Sequence, residues 1–111
     1  MKKVLVIYGH TRKEAFAHSL GQSYAGASKL NGNEIKEVYL VDLPHQPVND
    51  RDKAYPADIQ ALHSDLLWAD HIVFAFPTWW GLPPAIVKLY VDMAFAPKVA
   101  FRYLPMKNGI V

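Results

Sequence analysis

Val4-Leu5-Val6-Ile7-Tyr8-Gly9-His10 and Ile72-Val73-Phe74-Ala75-Phe76-Pro77-Thr78-Trp79-Trp80-Gly81 decide how this chain folds. Each opens as an unbroken apolar run of strand length and stops at residues suited to a loop facing a ligand. Runs of Val, Ile and Phe without polar alternation fit strands covered on both faces, as in a parallel sheet beneath helices. In an open parallel sheet, small ligands bind beyond the carboxyl ends of the strands, where the strand order reverses. The unusual residues of both stretches fall at that end, which predicts a binding crevice there.

The segments around these runs supply the rest of the fold. Residues 3–8 form the first strand. From about residue 12 to 30 the pattern turns helical, with Phe16, Leu20, Tyr24 and Ala27 giving one apolar stripe at spacings of three and four. Asn31-Gly32 supplies the helix stop, because glycine tolerates the left-handed conformation common there. Residues 34–41 read as a second strand, polar at its start and suited to a sheet edge. Asp42 to Pro56 holds Pro44, Pro47 and Pro56 and reads as a long surface loop. Residues 57–69 are helical, with Ile59, Leu62 and Leu66 on one face, and 71–76 form the third strand. Pro83-Pro84 opens a third helix, in whose first turn Pro84 loses no hydrogen bond. Ile86, Leu89, Tyr90 and Met93 are its expected buried stripe, and the chain is irregular after Pro97.

The resulting order is β-α-β-α-β-α, with helices long enough for right-handed crossovers. A Rossmann half would order the strands 3-2-1 and a flavodoxin-like half 2-1-3. The glycine fingerprint of the first is absent, since Gly9-His10-Thr11-Arg12-Lys13-Glu14 follows the first strand. The polar second strand suits an edge, which favours 2-1-3. In that order the loops after strands one and three flank the switch point.

Composition narrows the possible functions. The chain has 111 residues, 51% hydrophobic and 20% charged, which suits one small globular domain and argues against disorder. The net charge is +2 with no long basic run, giving nucleic-acid binding little support. Without cysteine there are no disulfides, thiolate nucleophiles or cysteine zinc sites. The apolar stretch behind Lys2 and Lys3 is too short for a signal peptide, and no segment is long enough to span a bilayer. The expectation is a cytoplasmic protein.

Two loops carry candidate chemistry. His10 to Phe16 leads into a helix start, where backbone N–H groups and the helix dipole attract phosphate, and Arg12 and Lys13 add positive charge. The alternative is a solvated basic turn capped by Thr11. In the second loop, Trp79 and Trp80 precede a double proline, and large rigid aromatics can stack on a planar ring whose polar edge meets backbone amides. Alternatively, one or both indoles pack between helices or against a partner subunit. Adjacent residues seldom face the same way, so one indole is expected at the ligand.

These residues, with Glu14-Ala15-Phe16-Ala17-His18-Ser19-Leu20 and Ala100-Phe101-Arg102-Tyr103, make the chain resemble the flavodoxin-like NAD(P)H:quinone oxidoreductases of the flavodoxin-2 type. The resemblance implies FAD, or alternatively FMN, held at the switch point. Its phosphate loop maps to His10, Ala15, Phe16 and Ala17, and its isoalloxazine loop to Pro77, Thr78, Trp79, Trp80 and Gly81. It further implies NAD(P)H as electron donor, a quinone-like acceptor and a homodimer. Ala15 and Ala17 stand where family members commonly have Ser and Asn, which removes two side-chain hydrogen bonds. The resemblance covers the front of the family pattern. Residues 1–111 therefore read as the N-terminal portion of a flavin-binding domain, truncated before the expected fourth and fifth strands. The Tyr and His often assigned to hydride transfer have no counterpart, so no catalytic residue is assigned. Truncation would leave the third strand as an open apolar edge.

Two other functions stay in view: an ancillary flavoprotein subunit of a potassium-efflux system, and a flavodoxin-type electron carrier, which the sequence pI near 8.9 disfavours. His10, His18, His45, His63 and His71 lack the spacing of a metal site, and none is expected. Ser19 and Ser23 lack a nearby base or nucleophile elbow. Lys88 and Asp92 form a surface i, i+4 pair, and Asp70 belongs to a helix-to-strand turn. Phe95, Phe101 and Tyr103 pack on the third helix, or else form a dimer surface or flavin lid.

Overall fold

The computed structural model describes residues 1–43, 54–102 and 104–105. Pro44, His45, Pro47 and Tyr103 lie outside the described residues, as does the tail from 106. The elements run β1 (Lys3–Tyr8), α1 (Phe16–Leu30), β2 (Glu34–Tyr39), a short 3-10 turn (Leu40–Asp42), α2 (Ala57–Trp68), β3 (His71–Ala75) and α3 (Ala85–Ala94). The strands form one parallel sheet in the order β2-β1-β3, the flavodoxin-like arrangement expected from the sequence.

β1 is the centre of the molecule. Leu5, Val6, Ile7 and Tyr8 are completely buried, because both edges of β1 are paired and both faces are covered. Val4, Val6 and Tyr8 meet Ala25 of α1 on one face. Leu5 and Ile7 meet Ile59 and Leu62 of α2 and Val87, Tyr90 and Met93 of α3 on the other. This two-sided burial is why the run shows no polar alternation. At the amino-terminal end, Lys3 N–H donates to Asp70 Oδ2 at 2.9 Å and Asp70 N–H to the Lys3 carbonyl at 2.8 Å. Asp70 is thus a residue of the helix-to-strand turn.

Several expectations need correction. α1 begins at Phe16 rather than near residue 12, because Thr11–Glu14 is held as a loop. Phe16, Leu20 and Tyr24 do not form a buried stripe: they are 80%, 57% and 43% exposed, while His18, Gly21 and Ala25 face the sheet. Gly21 explains the rotation, because a Cβ there would lie 2.6 Å from Tyr8 Cε1 and 2.8 Å from Ala75 Cβ. Only a face of small residues lets α1 approach so closely. β2 stops at Tyr39, opposite the last residue of β1, and the chain turns into the 3-10 segment. In α3, Val87, Tyr90, Met93 and Ala94 are buried, whereas Ile86 and Leu89 are half-buried. Pro84 is the N-cap residue rather than part of the first turn. Gly32 takes φ +84 behind α1, as a helix stop requires. Lys88 and Asp92 pair at 2.6 Å on the surface.

Candidate functional site

The first loop grows directly out of β1. Gly9 N–H donates to the Ala75 carbonyl at 2.8 Å, carrying the β1–β3 pairing one residue further. A side chain at Gly9 would meet Val87 Cγ2 at 2.5 Å and Phe76 Cβ at 3.1 Å, so the chain passes between α3 and the end of β3 only as glycine. His10 follows, 8% exposed. Arg12 N–H donates to His10 Nδ1 at 3.0 Å. That nitrogen is therefore the acceptor, and in the neutral ring the proton resides on Nε2. Burial first, then Arg12 and His18, hold the imidazole pKa below its ordinary value.

Behind the loop stands a packed aromatic group. Tyr8 stacks on Tyr39 with centroids 4.3 Å apart and planes at 10°, and its hydroxyl donates to Glu37 Oε2 at 2.7 Å. Burial and the Glu37 carboxylate push the Tyr8 phenol well above the usual tyrosine range. His18 presents its ring at steep angles to both, 5.2 Å from Tyr8 and 5.4 Å from Tyr39. Its Nε2 accepts from His10 N–H at 3.1 Å, and its Nδ1 lies 2.9 Å from the Lys13 carbonyl.

The start of α1 is bare. Ala15 is the N-cap and makes no side-chain bond, so Thr11 does not cap the helix. Among the described residues, the backbone N–H groups of Phe16, Ala17 and His18 have no acceptor; Ser19 N–H is the first to bond, to the Ala15 carbonyl at 3.1 Å. Such a helix end concentrates donors and partial positive charge. Lys13 lies alongside, paired with Asp42 at 2.8 Å and 5.5 Å from the Tyr39 ring.

The second loop is a hairpin in miniature. Trp79 and Leu82 exchange backbone hydrogen bonds of 2.8 and 3.0 Å around Trp80 and Gly81, whose φ angles are +53 and +75. Positive φ at both central residues is the type I′ pattern, which favours Asn-Gly. A tryptophan there costs about 1–2 kcal/mol of steric strain, and the surrounding prolines hold it in place. The two indoles diverge. Trp79 is edge-on to His10 at 5.1 Å, while Trp80 is 100% exposed.

The structure thus brings His10 and Trp79 into contact and sets Ala15, Phe16 and Ala17 at the uncapped helix start. Ala15 is buried, Ala17 half-buried and Phe16 exposed; in the other loop Pro77 is half-buried and Thr78 and Gly81 are exposed. Phe95 lies against Tyr90 with centroids 6.1 Å apart. His18 has no assigned role in the sequence reading, although it shares one helix face with Gly21 and Ala25.

Three parallel strands ordered β2-β1-β3, covered by helices on both faces and carrying two facing loops at their carboxyl ends, define a flavodoxin-like α/β domain. The chain belongs to the Flavodoxin_2 family, whose model, described by its flavodoxin-like fold, matches residues 2–110. It is 29% identical to FMN-dependent NADH:quinone oxidoreductase 1 of Bacillus licheniformis over 126 residues, covering 95% of this chain and 61% of that protein. It also resembles the crystal structure of Smu.1420 from Streptococcus mutans, with TM-score 0.76, 27% identity, and 92% of this chain and 57% of that one covered. The flavoenzyme NAD(P)H:(acceptor) oxidoreductase FerB from Paracoccus denitrificans matches with TM-score 0.69 and 25% identity, over 88% and 53% of the two chains. The chain spans about half the length of the curated relatives it matches. FMN is the flavin named for the Bacillus licheniformis enzyme and for the FMN-dependent NADH:quinone oxidoreductase of Macrococcus caseolyticus, so FMN stands ahead of the FAD placed first from the sequence.

Proposed function

We propose that residues 1–111 contribute the N-terminal portion of a flavin-binding domain of an NAD(P)H:quinone oxidoreductase, with FMN as the flavin. The observation that carries this reading is the meeting of the two loops at His10 and Trp79, beside a helix start whose donors are uncapped. In this reading the N–H groups of Phe16, Ala17 and His18 and the Nε2–H of His10 receive phosphate oxygens, with Arg12 and Lys13 supplying positive charge. The alanines at 15 and 17 add no side-chain donors, so backbone amides hold the phosphate. The rigid turn at Thr78–Gly81 takes the flavin ring, and the exposed Trp80 forms one wall for it.

When bound, FMN supplies the two-electron redox chemistry that links NAD(P)H to a quinone-like acceptor. This chain's own residues bind and orient: His10 donates a hydrogen bond from Nε2, and the Trp80 indole excludes water from one side of the ring. Among the described residues, no helix is long and apolar enough to cross a membrane, in keeping with a cytoplasmic enzyme. The exposed Leu20 and Tyr24 of α1 favour association with a second copy, as a homodimer.

The test is a visible spectrum of the purified chain after FMN is added and the excess removed. A retained flavin band, followed by NADH or NADPH oxidation with a quinone, is the expected result. A folded chain that keeps no flavin overturns the reading for this chain.

A further inference from the structure

His18 is almost completely buried, yet both of its ring nitrogens are engaged by one short loop. Nε2 accepts the N–H of His10, the residue where the loop leaves the sheet. Nδ1 lies 2.9 Å from the carbonyl of Lys13, three residues further on. A carbonyl can only accept, so Nδ1 carries the proton, and an N–H donor faces Nε2, so Nε2 carries none. The geometry admits one protonation state: the neutral Nδ1–H tautomer. Tyr8 and Tyr39 wall the ring on its other sides and leave it little freedom to turn.

We infer that His18 is a positioning residue, a two-ended latch that shapes the His10–Lys13 loop and thereby aims the phosphate-binding donors of the site. The latch acts in series with a second one. His18 fixes the His10 backbone, and the His10 ring then takes the Arg12 N–H at 3.0 Å. The outcome is that His10 Nε2–H stays available beside the bare start of α1. This inference rests on the flavin reading for its consequence, and on the protein alone for its geometry.

Two variants and two measurements test it. His18→Phe keeps the ring and removes both bonds; His18→Gln offers a carbonyl oxygen to the His10 N–H. In the unmodified chain, 15N-resolved imidazole NMR is expected to show His18 as a single Nδ1–H tautomer. Amide exchange of His10 and Arg12 is expected to accelerate roughly tenfold in His18→Phe, the factor for one lost hydrogen bond, and less in His18→Gln. FMN and riboflavin are then titrated in parallel. His18→Phe should weaken FMN binding by about tenfold and leave riboflavin, which has no phosphate, within about twofold, with partial recovery of FMN binding in His18→Gln.

An Nε2–H tautomer, unchanged exchange, or equal losses for FMN and riboflavin overturns the latch. If the unmodified chain binds neither flavin, the flavin reading fails, and the tautomer and exchange data still decide the latch by themselves. If His18→Phe does not fold, the same comparison is made with His18→Gln, which is then expected to fall between wild-type values and full loss.

Discussion

The imidazole of His10 meets the indole of Trp79 edge-on, with centroids 5.1 Å apart and planes at 82°. One residue leaves the end of β1 and the other follows the end of β3, so this single contact joins two loops whose strands are neighbours in the sheet. It also shields an imidazole that already lies beneath the protein surface. A charged ring there would lose hydration and sit close to Arg12 and His18.

That environment sets a pH dependence. His10 takes up its proton in the folded chain at lower pH than in the unfolded chain, whose ordinary value is 6.5. Between the two values the unfolded state binds more protons, so stability rises with pH. The contribution is present in full above about 6.5 and is lost as pH falls through the folded value. An NMR titration of the His10 ring should give a midpoint below that of a free histidine. A midpoint at or above it would contradict the assignment, as would an unchanged acid limb of thermal stability in His10→Asn.

The glycines of α1 should respond in opposite directions to the same substitution. Gly26 has open space where a Cβ would go, so Gly26→Ala is expected to stabilise by about 0.5–1 kcal/mol through helix propensity. Gly21→Ala drives a methyl into the Tyr8 ring and Ala75 and is expected to cost about 1–3 kcal/mol. Urea unfolding of the two variants checks both signs.

Relieving the turn at Trp80 should separate stability from binding. Trp80→Asn creates an Asn-Gly pair at positions where both φ angles are positive, the preferred type I′ sequence. Thermal unfolding is expected to show a gain of about 1 kcal/mol, while FMN retention falls. A variant that is less stable than the parent would mean the indole packs more than its full exposure indicates.

Tyr90 offers a further stability test. Its hydroxyl is buried without a hydrogen-bond partner among the described residues, and burial, with Asp65 next, pushes its pKa above the usual tyrosine value. Tyr90→Phe removes a polar group that lost its water and gained nothing. Stability should be unchanged or higher by about 1 kcal/mol. A clear loss would reveal a partner for the hydroxyl.

The sheet and its order were legible because the forces that place them act along the sequence itself. β1 must be apolar throughout to be buried on both faces, and the polar start of β2 marks an edge. The orientation of α1 was not legible. Phe16, Leu20 and Tyr24 give the louder periodic signal, but how closely a helix approaches a sheet is decided by its smallest residues, here Gly21 and Ala25. The loops of the site announced themselves through His10 and Trp79-Trp80, where apolar runs break. Their mutual contact could not be read, since the residues are 69 positions apart in the chain. His18 was hidden for a different reason: one histidine in a helix has no pattern until the loop it ties has folded around it.

The central place of β1 also bears on how the molecule assembles. Lys2 bonds Asn33 across 31 positions and Lys3 bonds Asp70 across 67, so every strand pairing closes a long stretch of chain. Doubling such a stretch adds only about 0.6 kcal/mol of closure entropy, which makes neither neighbour prohibitive, but local contacts cannot bring either one home. β2 and β3 do not touch in the sheet, and each can dock only once β1 is there to receive it. The second loop enters with β3. The contact between His10 and Trp79 therefore depends on the β1–β3 pairing, and any change that opens that pairing takes the two candidate loops apart.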